Sequence, residues 1–178
     1  DAVTNTPLPL AEFRAILDRH GFRPSKGRGQ NFLHDPNLCA AIVETAQIGP
    51  QDRVLEIGTG CGYLTAAIAQ RAQRVFTIEI DPRLSQIAQE VLKPYKNIEF
   101  GIGDFLESKA IAPQWISPLN NLAPFTLIAN LPYSVAGTAL AALSRFRLPL
   151  PSMIVTVQKE VAQRCAAVSG TRDRGPLG

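Results

Sequence analysis

Between residues 53 and 157 the chain repeats one alternation: a short run of β-branched and aromatic apolar residues, then a longer stretch with apolar residues at helical spacing. R-V-L-E-I (53–57), R-V-F-T-I-E-I (74–80), N-I-E-F-G-I (97–102), F-T-L-I-A (125–129) and M-I-V-T-V (153–157) read as strands. G-Y-L-T-A-A-I-A-Q-R-A (62–72), P-R-L-S-Q-I-A-Q-E-V-L-K (82–93) and A-L-A-A-L-S-R-F (139–146) read as helices between them. Strands this apolar are buried on both faces, and a strand-helix-strand succession provides the long crossover that parallel pairing requires. The pattern predicts an α/β fold: a doubly wound, mostly parallel, Rossmann-like sheet covered by helices on both sides. In such sheets ligands sit at the carboxyl ends of the strands, near the point where strand order reverses.

The rest of the chain fits around that sheet. At 178 residues and 46% hydrophobic content there is apolar material for one core. No apolar run approaches the roughly 18 residues of a membrane span, and the first residues lack a basic flank followed by an apolar h-region. The expectation is a cytoplasmic protein with no membrane association, and a monomer. Cys39, Cys61 and Cys165 are odd in number and form no C-x-x-C, so neither a disulfide framework nor a metal site is expected. Upstream, residues 10–20 carry Leu10, Phe13, Ile16 and Leu17 at helical spacing before Gly21, and Asp35-Pro36 is a good helix start leading to a stop at Gly49-Pro50. Between them lies the irregular basic stretch R-P-S-K-G-R-G-Q (23–30). Residues 105–124, with Trp115, three prolines and two asparagines, read as a surface insertion rather than a lid. The net charge of +3 is mild, but Arg19, Arg23, Lys26 and Arg28 cluster without an acid among them, a distribution that suits phosphates as well as plain solvation.

The unusual residues fall at the predicted strand ends. The first strand runs into E-I-G-T-G-C-G (56–62), and glycines without Cβ let a ligand lie against the backbone where a helix begins. The loop departs from the dinucleotide pattern G-x-G-x-x-G, because its third glycine is Gly62 and Tyr63 stands where that pattern needs one. Glu56, two residues before Gly58, suits a ligand with an ammonium group. Glu79 closes the second strand at the distance where an acid bonds ribose hydroxyls. Asp104, after the third strand, can accept from an exocyclic amine of adenine. Ribose, adenine and an amino-acid tail together describe S-adenosylmethionine. The fourth strand ends in N-L-P-Y (130–133). There the Asn130 side-chain oxygen and the Leu131 carbonyl offer two acceptors for one amino group, Pro132 shapes the turn, and Tyr133 offers a flat face to a base.

Taken together, R-P-S-K-G-R-G-Q-N-F-L, L-E-I-G-T-G-C-G, E-I-D (79–81), G-D (103–104), N-L-P-Y and V-Q-K-E-V-A-Q-R (157–164) resemble the ribosomal RNA adenine dimethyltransferases, in order and over nearly the whole chain. Leu131 within N-L-P-Y looks closer to the small-subunit enzymes than to the macrolide-resistance branch. The resemblance implies transfer of two methyl groups from S-adenosylmethionine to the exocyclic N6 amine of adenine in ribosomal RNA, in a precursor of the small ribosomal subunit. Carried over by motif, Asn31, Leu33, Gly58, Gly60, Glu79, Asp104 and Asn130 line the cofactor site, and Asn130, Leu131, Pro132 and Tyr133 are the catalytic set. Arg23, Lys26 and Arg28 would face RNA. The implied organisation is an N-terminal helix and basic segment over 1–29 and a methyltransferase domain over 30–178, lacking its last two strands and a following helical domain. Thr59 departs from the proline common in this loop, and S-V-A-G-T after Tyr133 departs from the usual N-I-S-T. The alternatives are an adenine methyltransferase with a different RNA or DNA substrate, and a non-catalytic nucleic-acid-binding factor on the same fold.

Overall fold

The computed structural model describes residues 9–22, 35–131, 133–146 and 152–156. In chain order the elements are α1 (Leu10–Arg19), α2 (Pro36–Thr45), β1 (Arg53–Ile57), α3 (Tyr63–Ala69), β2 (Arg74–Glu79), α4 (Pro82–Val91), β3 (Ile98–Ile102), β4 (Leu106–Glu107), β5 (Ala110–Ile111), α5 (Pro113–Leu122), β6 (Thr126–Asn130), α6 (Tyr133–Arg145) and β7 (Met153–Thr156). The five runs expected as strands are strands, with ends moved by no more than a residue. They pair in parallel in the order β3-β2-β1-β6-β7.

Alternate residues of each strand feed two separate cores, as the period-2 geometry of a strand requires. Val54, Val75 and Ile128 face one layer built from α1, α2, α3 and α4. Leu55, Phe76 and Leu127 face the other, built from α5 and α6. The helix starts follow the chemistry of their first residues. Asp35 accepts from the Asn37 N–H at 2.9 Å, and Asp81 accepts from the Arg83 N–H at 2.8 Å, each just before a proline that has no N–H to satisfy. Each such cap stabilises its helix by about 1 kcal/mol. At its other end α1 stops on Gly21 in the left-handed region (φ +60°), and Glu90 of α4 pairs with both Arg19 and His20 to hold that end down.

Two expectations need correction. Residues 105–124 are the crossover between β3 and β6, not a surface insertion. After the small β4–β5 hairpin, α5 presents Trp115, Leu119 and Leu122 at helical spacing, and all three are buried against the sheet. The Trp115 ring lies over β3 so closely that a Cβ on Gly101 would meet it at 2.7 Å, and the indole N–H donates to the Asp104 carbonyl at 2.7 Å. The prolines that looked like breakers are compatible with a helix: Pro113 occupies the first turn, and α5 runs on through Pro118. Likewise the helix expected over 139–146 starts earlier, at Tyr133. Its first turns contain Val135, Gly137 and Thr138, which are weak helix formers, so propensity hid what the burial of Ala136 and Ala139 against the sheet decides.

Candidate functional site

Strand order reverses at β1, which has β2 and β3 on one side and β6 and β7 on the other. The glycine loop leaves β1 at this point. Gly58, Gly60 and Gly62 all have positive φ (+88°, +56° and +91°), a region that a side chain makes strained. Gly58 has a second reason to be glycine: a Cβ there would lie 3.3 Å from the Asn130 carbonyl oxygen. The loop after β1 and the tip of β6 therefore touch, and two motifs that are 72 residues apart in sequence (130 − 58) form one edge of the cleft. The loop is sewn to the neighbouring strand through the Gly58 N–H, which donates to the Ile78 carbonyl at 2.8 Å.

The three acids are placed very differently. Glu79, only 6% exposed, closes β2, with one carboxylate oxygen accepting from the Gly60 N–H at 2.7 Å and the other from the Asp81 N–H at 3.0 Å. Each carboxylate oxygen has a second lone pair and can accept from a further donor. Asp104 is exposed after β3 and accepts from the Leu106 N–H at 2.9 Å. Glu56 differs from the expectation. It is fully buried, and its Oε2 accepts from the hydroxyls of Thr65 and Thr77, each at 2.6 Å. Its Oε1 has no hydrogen-bond partner among the described residues. Burial pushes its pKa up to about 8, against the opposing effect of the two hydroxyl donors, and the negative charge of Glu79 adds to the rise. At neutral pH Glu56 is an uncharged acid beneath the loop, so it is not an open carboxylate awaiting an ammonium group. Cys61 in the same loop is buried too, and burial, then Glu79, raises its thiol to about 12, so it is no nucleophile.

Beside Glu79 and Asp104 stand two apolar residues that strand patterning did not single out. Ile80 is 62% exposed and Ile102 is 51% exposed, and register places Glu79 opposite Ile102. By strand alternation Ile102 shares the face of Glu79 and Ile80 follows on the opposite face, so each leaves apolar surface open at a strand end on its own side of the sheet. The available signal was position alone: each isoleucine directly follows or precedes a motif residue at a strand end.

On the other side of the switch point, Asn130 ends β6 half-buried and Leu131 follows it, buried. Tyr133 opens α6, so the N-L-P-Y turn is the entry to a helix. The structure brings Gly58, Gly60, Glu79, Asp104, Asn130 and Leu131 to one edge of the sheet. Asn31, Leu33, Pro132, the basic residues Arg23, Lys26 and Arg28, and the Tyr133 side chain lie outside the described part. No group of three or more His, Cys, Asp or Glu able to hold a metal occurs among the described residues, and none of their helices is long and apolar enough to cross a membrane.

The family model for ribosomal RNA adenine dimethylase matches residues 21–178. The chain belongs to this ribosomal RNA adenine dimethylase family. It is 40% identical over 164 residues to a ribosomal RNA small subunit methyltransferase A of Pediococcus pentosaceus, covering 92% of this chain and 55% of that protein. Among solved structures it resembles a dimethyladenosine transferase of Plasmodium falciparum (TM-score 0.67, 30% identity, 83% of this chain and 50% of that one). It also resembles the 23S rRNA methyltransferase ErmE (TM-score 0.59, 33% identity, 75% of this chain and 50% of that one). The chain thus spans about half the length of these family members.

Proposed function

We propose that this dimethylase-family chain holds S-adenosylmethionine in the glycine-loop half of the cleft and presents an adenine N6 amine at the tip of β6, for two successive methyl transfers in small-subunit ribosomal RNA. The observation that carries this is the approach of Gly58 to the Asn130 backbone carbonyl, which sets a side-chain-free turn beside the residue that bears the amide, at the switch point of the sheet. The residues fit the cofactor: no Cβ stands at Gly58 or Gly60, Glu79 has lone pairs for ribose hydroxyls, Asp104 can accept from an amine, and Ile80 offers an apolar face to a purine. Asn31 and Leu33 would complete the site. When bound, S-adenosylmethionine supplies an electrophilic methyl group on a sulfonium sulfur.

The chain's own contribution is orientation. The Asn130 amide oxygen and the Leu131 carbonyl would each accept one hydrogen of the amine, which turns the nitrogen lone pair out of conjugation with the purine ring. The same acceptors stabilise the positive charge that grows on the nitrogen during transfer. Pro132 fixes the turn that aims the carbonyl, and Tyr133 stacks on the base, a contact worth about 1–3 kcal/mol. The excess proton leaves after transfer, so no carboxylate base is required at the amine.

The protein is proposed to work in the cytoplasm as a monomer on a precursor of the small subunit. Residues 30–178 would act as the methyltransferase domain, and Arg23, Lys26 and Arg28, from the segment before it, as phosphate contacts. Relatives named small-subunit methyltransferases, at about 40% identity over 92% of this chain, favour the small-subunit substrate. The test is incorporation of labelled methyl groups from S-adenosylmethionine into under-methylated small subunits, with large-subunit RNA and adenine-containing DNA in parallel. Label in the small subunit alone is expected. Cofactor binding without transfer to any of the three substrates would favour a non-catalytic RNA-binding role.

A further inference from the structure

Beneath the glycine loop runs a buried chain of hydroxyls that the transfer chemistry does not use. Thr77, in the middle of β2, is the direct cross-strand neighbour of Glu56 in β1, and both are fully buried. The Thr77 hydroxyl is hydrogen-bonded to Glu56 Oε2 at 2.6 Å. The Thr59 and Thr77 hydroxyls are also hydrogen-bonded to each other, Oγ1 to Oγ1 at 2.6 Å, and either can be the donor. Thr65 of α3 donates to the same Oε2 from the other side. Thr59 is the one non-glycine residue between Gly58 and Gly60 and is only 5% exposed. Its side chain therefore points down into the protein and leaves the backbone on the ligand side.

We infer that Thr59 and Thr77 are positioning residues for cofactor binding: the hydroxyl pair, anchored on the buried Glu56, holds the glycine loop in its ligand-accepting form. The inference rests on the cofactor assignment above. The backbone shows why an anchor is needed. Gly58 and Gly60 give the loop the widest conformational freedom a chain can have, and ordering such residues carries the largest backbone entropy cost. Against that stand the Gly58 N–H bond to Ile78 and the Gly60 N–H bond to Glu79, both on β2. Glu79 is a ligand candidate itself, so its grip on Gly60 competes with ribose. The Thr59 bond to Thr77 is the side-chain tie that ligand binding leaves alone, and it too ends on β2.

Thr59→Val keeps the shape of the side chain and removes the hydroxyl, while Glu56 keeps its bonds to Thr65 and Thr77. The expected result is a rise of about tenfold in the KM and Kd for S-adenosylmethionine, the equivalent of one buried hydrogen bond, with kcat at saturating cofactor unchanged. Thr59→Ser, which restores the hydroxyl, should return both constants to near the wild-type values. A role confined to folding would lower the active fraction, hence kcat, and leave KM alone. Amide hydrogen exchange without ligand gives a second reading: Gly58 and Gly60 should exchange at least several-fold faster in Thr59→Val than in wild type or Thr59→Ser. Unchanged exchange at these two amides, or a Thr59→Val protein that binds cofactor as wild type does, would overturn the inference. Wild-type protein that fails to bind S-adenosylmethionine while exchange still responds would remove the cofactor assignment and leave the loop anchor standing.

Discussion

The two sides of the switch point are built by opposite means. On the β1–β2–β3 side the loop is a backbone surface held from below, with Gly58 tied to Ile78, Gly60 to Glu79 and Thr59 to Thr77. On the β6 side the working groups are a half-buried side chain and a main-chain carbonyl at the end of a strand whose preceding residues, Leu127, Ile128 and Ala129, are almost fully buried. In the proposed assignment one side would bind by leaving side chains out, and the other by fixing one in place. Binding and transfer should therefore be separable by substitution, with Gly58, where an added Cβ would lie 3.3 Å from the Asn130 carbonyl oxygen, as one point where the two sides meet.

The largest effect should come from Asn130→Ala. Loss of one of two acceptors for the amine should lower methyl transfer at saturating cofactor by about 10²–10³-fold, the scale seen when one preorganised polar group is removed from a transition state. Cofactor affinity, measured by calorimetry, should change only a few-fold, and a parallel collapse of both would erase the distinction between the two sides. Gly58→Ala is the reverse case. A Cβ at φ +88°, 3.3 Å from the Asn130 carbonyl, forces the loop or the strand tip to shift, a strain of about 1–3 kcal/mol that should appear as roughly 5–150-fold weaker cofactor binding. Next is Glu79→Gln, which sets an amide NH2 against the N–H of either Gly60 or Asp81. Cofactor affinity should drop about tenfold, and the urea midpoint should fall as well, because one buried N–H loses its acceptor.

The smallest effect tests the buried acid. Folded Glu56 keeps its proton up to about pH 8, whereas the same group ordinarily loses it near 4.5. Between those values the folded state holds more protons than the unfolded state, so stability from this group is greatest at low pH and declines as pH rises through the window. Glu56→Gln should make urea-unfolding free energy flatter between pH 5 and pH 8. An unchanged slope would mean that Glu56 does not stay protonated in the fold.

Much of this arrangement was legible in residue order. Period and apolarity located the five strands of the main sheet but not the β4–β5 hairpin, and Asp35-Pro36 marked a helix start because a carboxylate cap and a proline act locally. The motif residues at strand ends met at one edge because parallel topology sends every carboxyl end the same way. What stayed hidden depends on register and packing. Thr77 sits inside an apolar strand run and acquires meaning only when pairing sets it opposite Glu56. Glu56 reads as a strand-end carboxylate until its burial is seen. The α5 crossover was obscured by its own prolines, and its true signal, Trp115, Leu119 and Leu122 on one face, needs the sheet beneath it to matter.

The most direct measurement is a nucleoside digest, analysed by mass spectrometry, of small-subunit RNA incubated with the protein and S-adenosylmethionine. N6,N6-dimethyladenosine should accumulate with wild-type protein, by way of the monomethyl form, and both should be absent with Asn130→Ala. Methylation at a ring nitrogen or on ribose, or dimethyladenosine at wild-type yield from Asn130→Ala, would contradict a mechanism in which the tip of β6 aims an exocyclic amine.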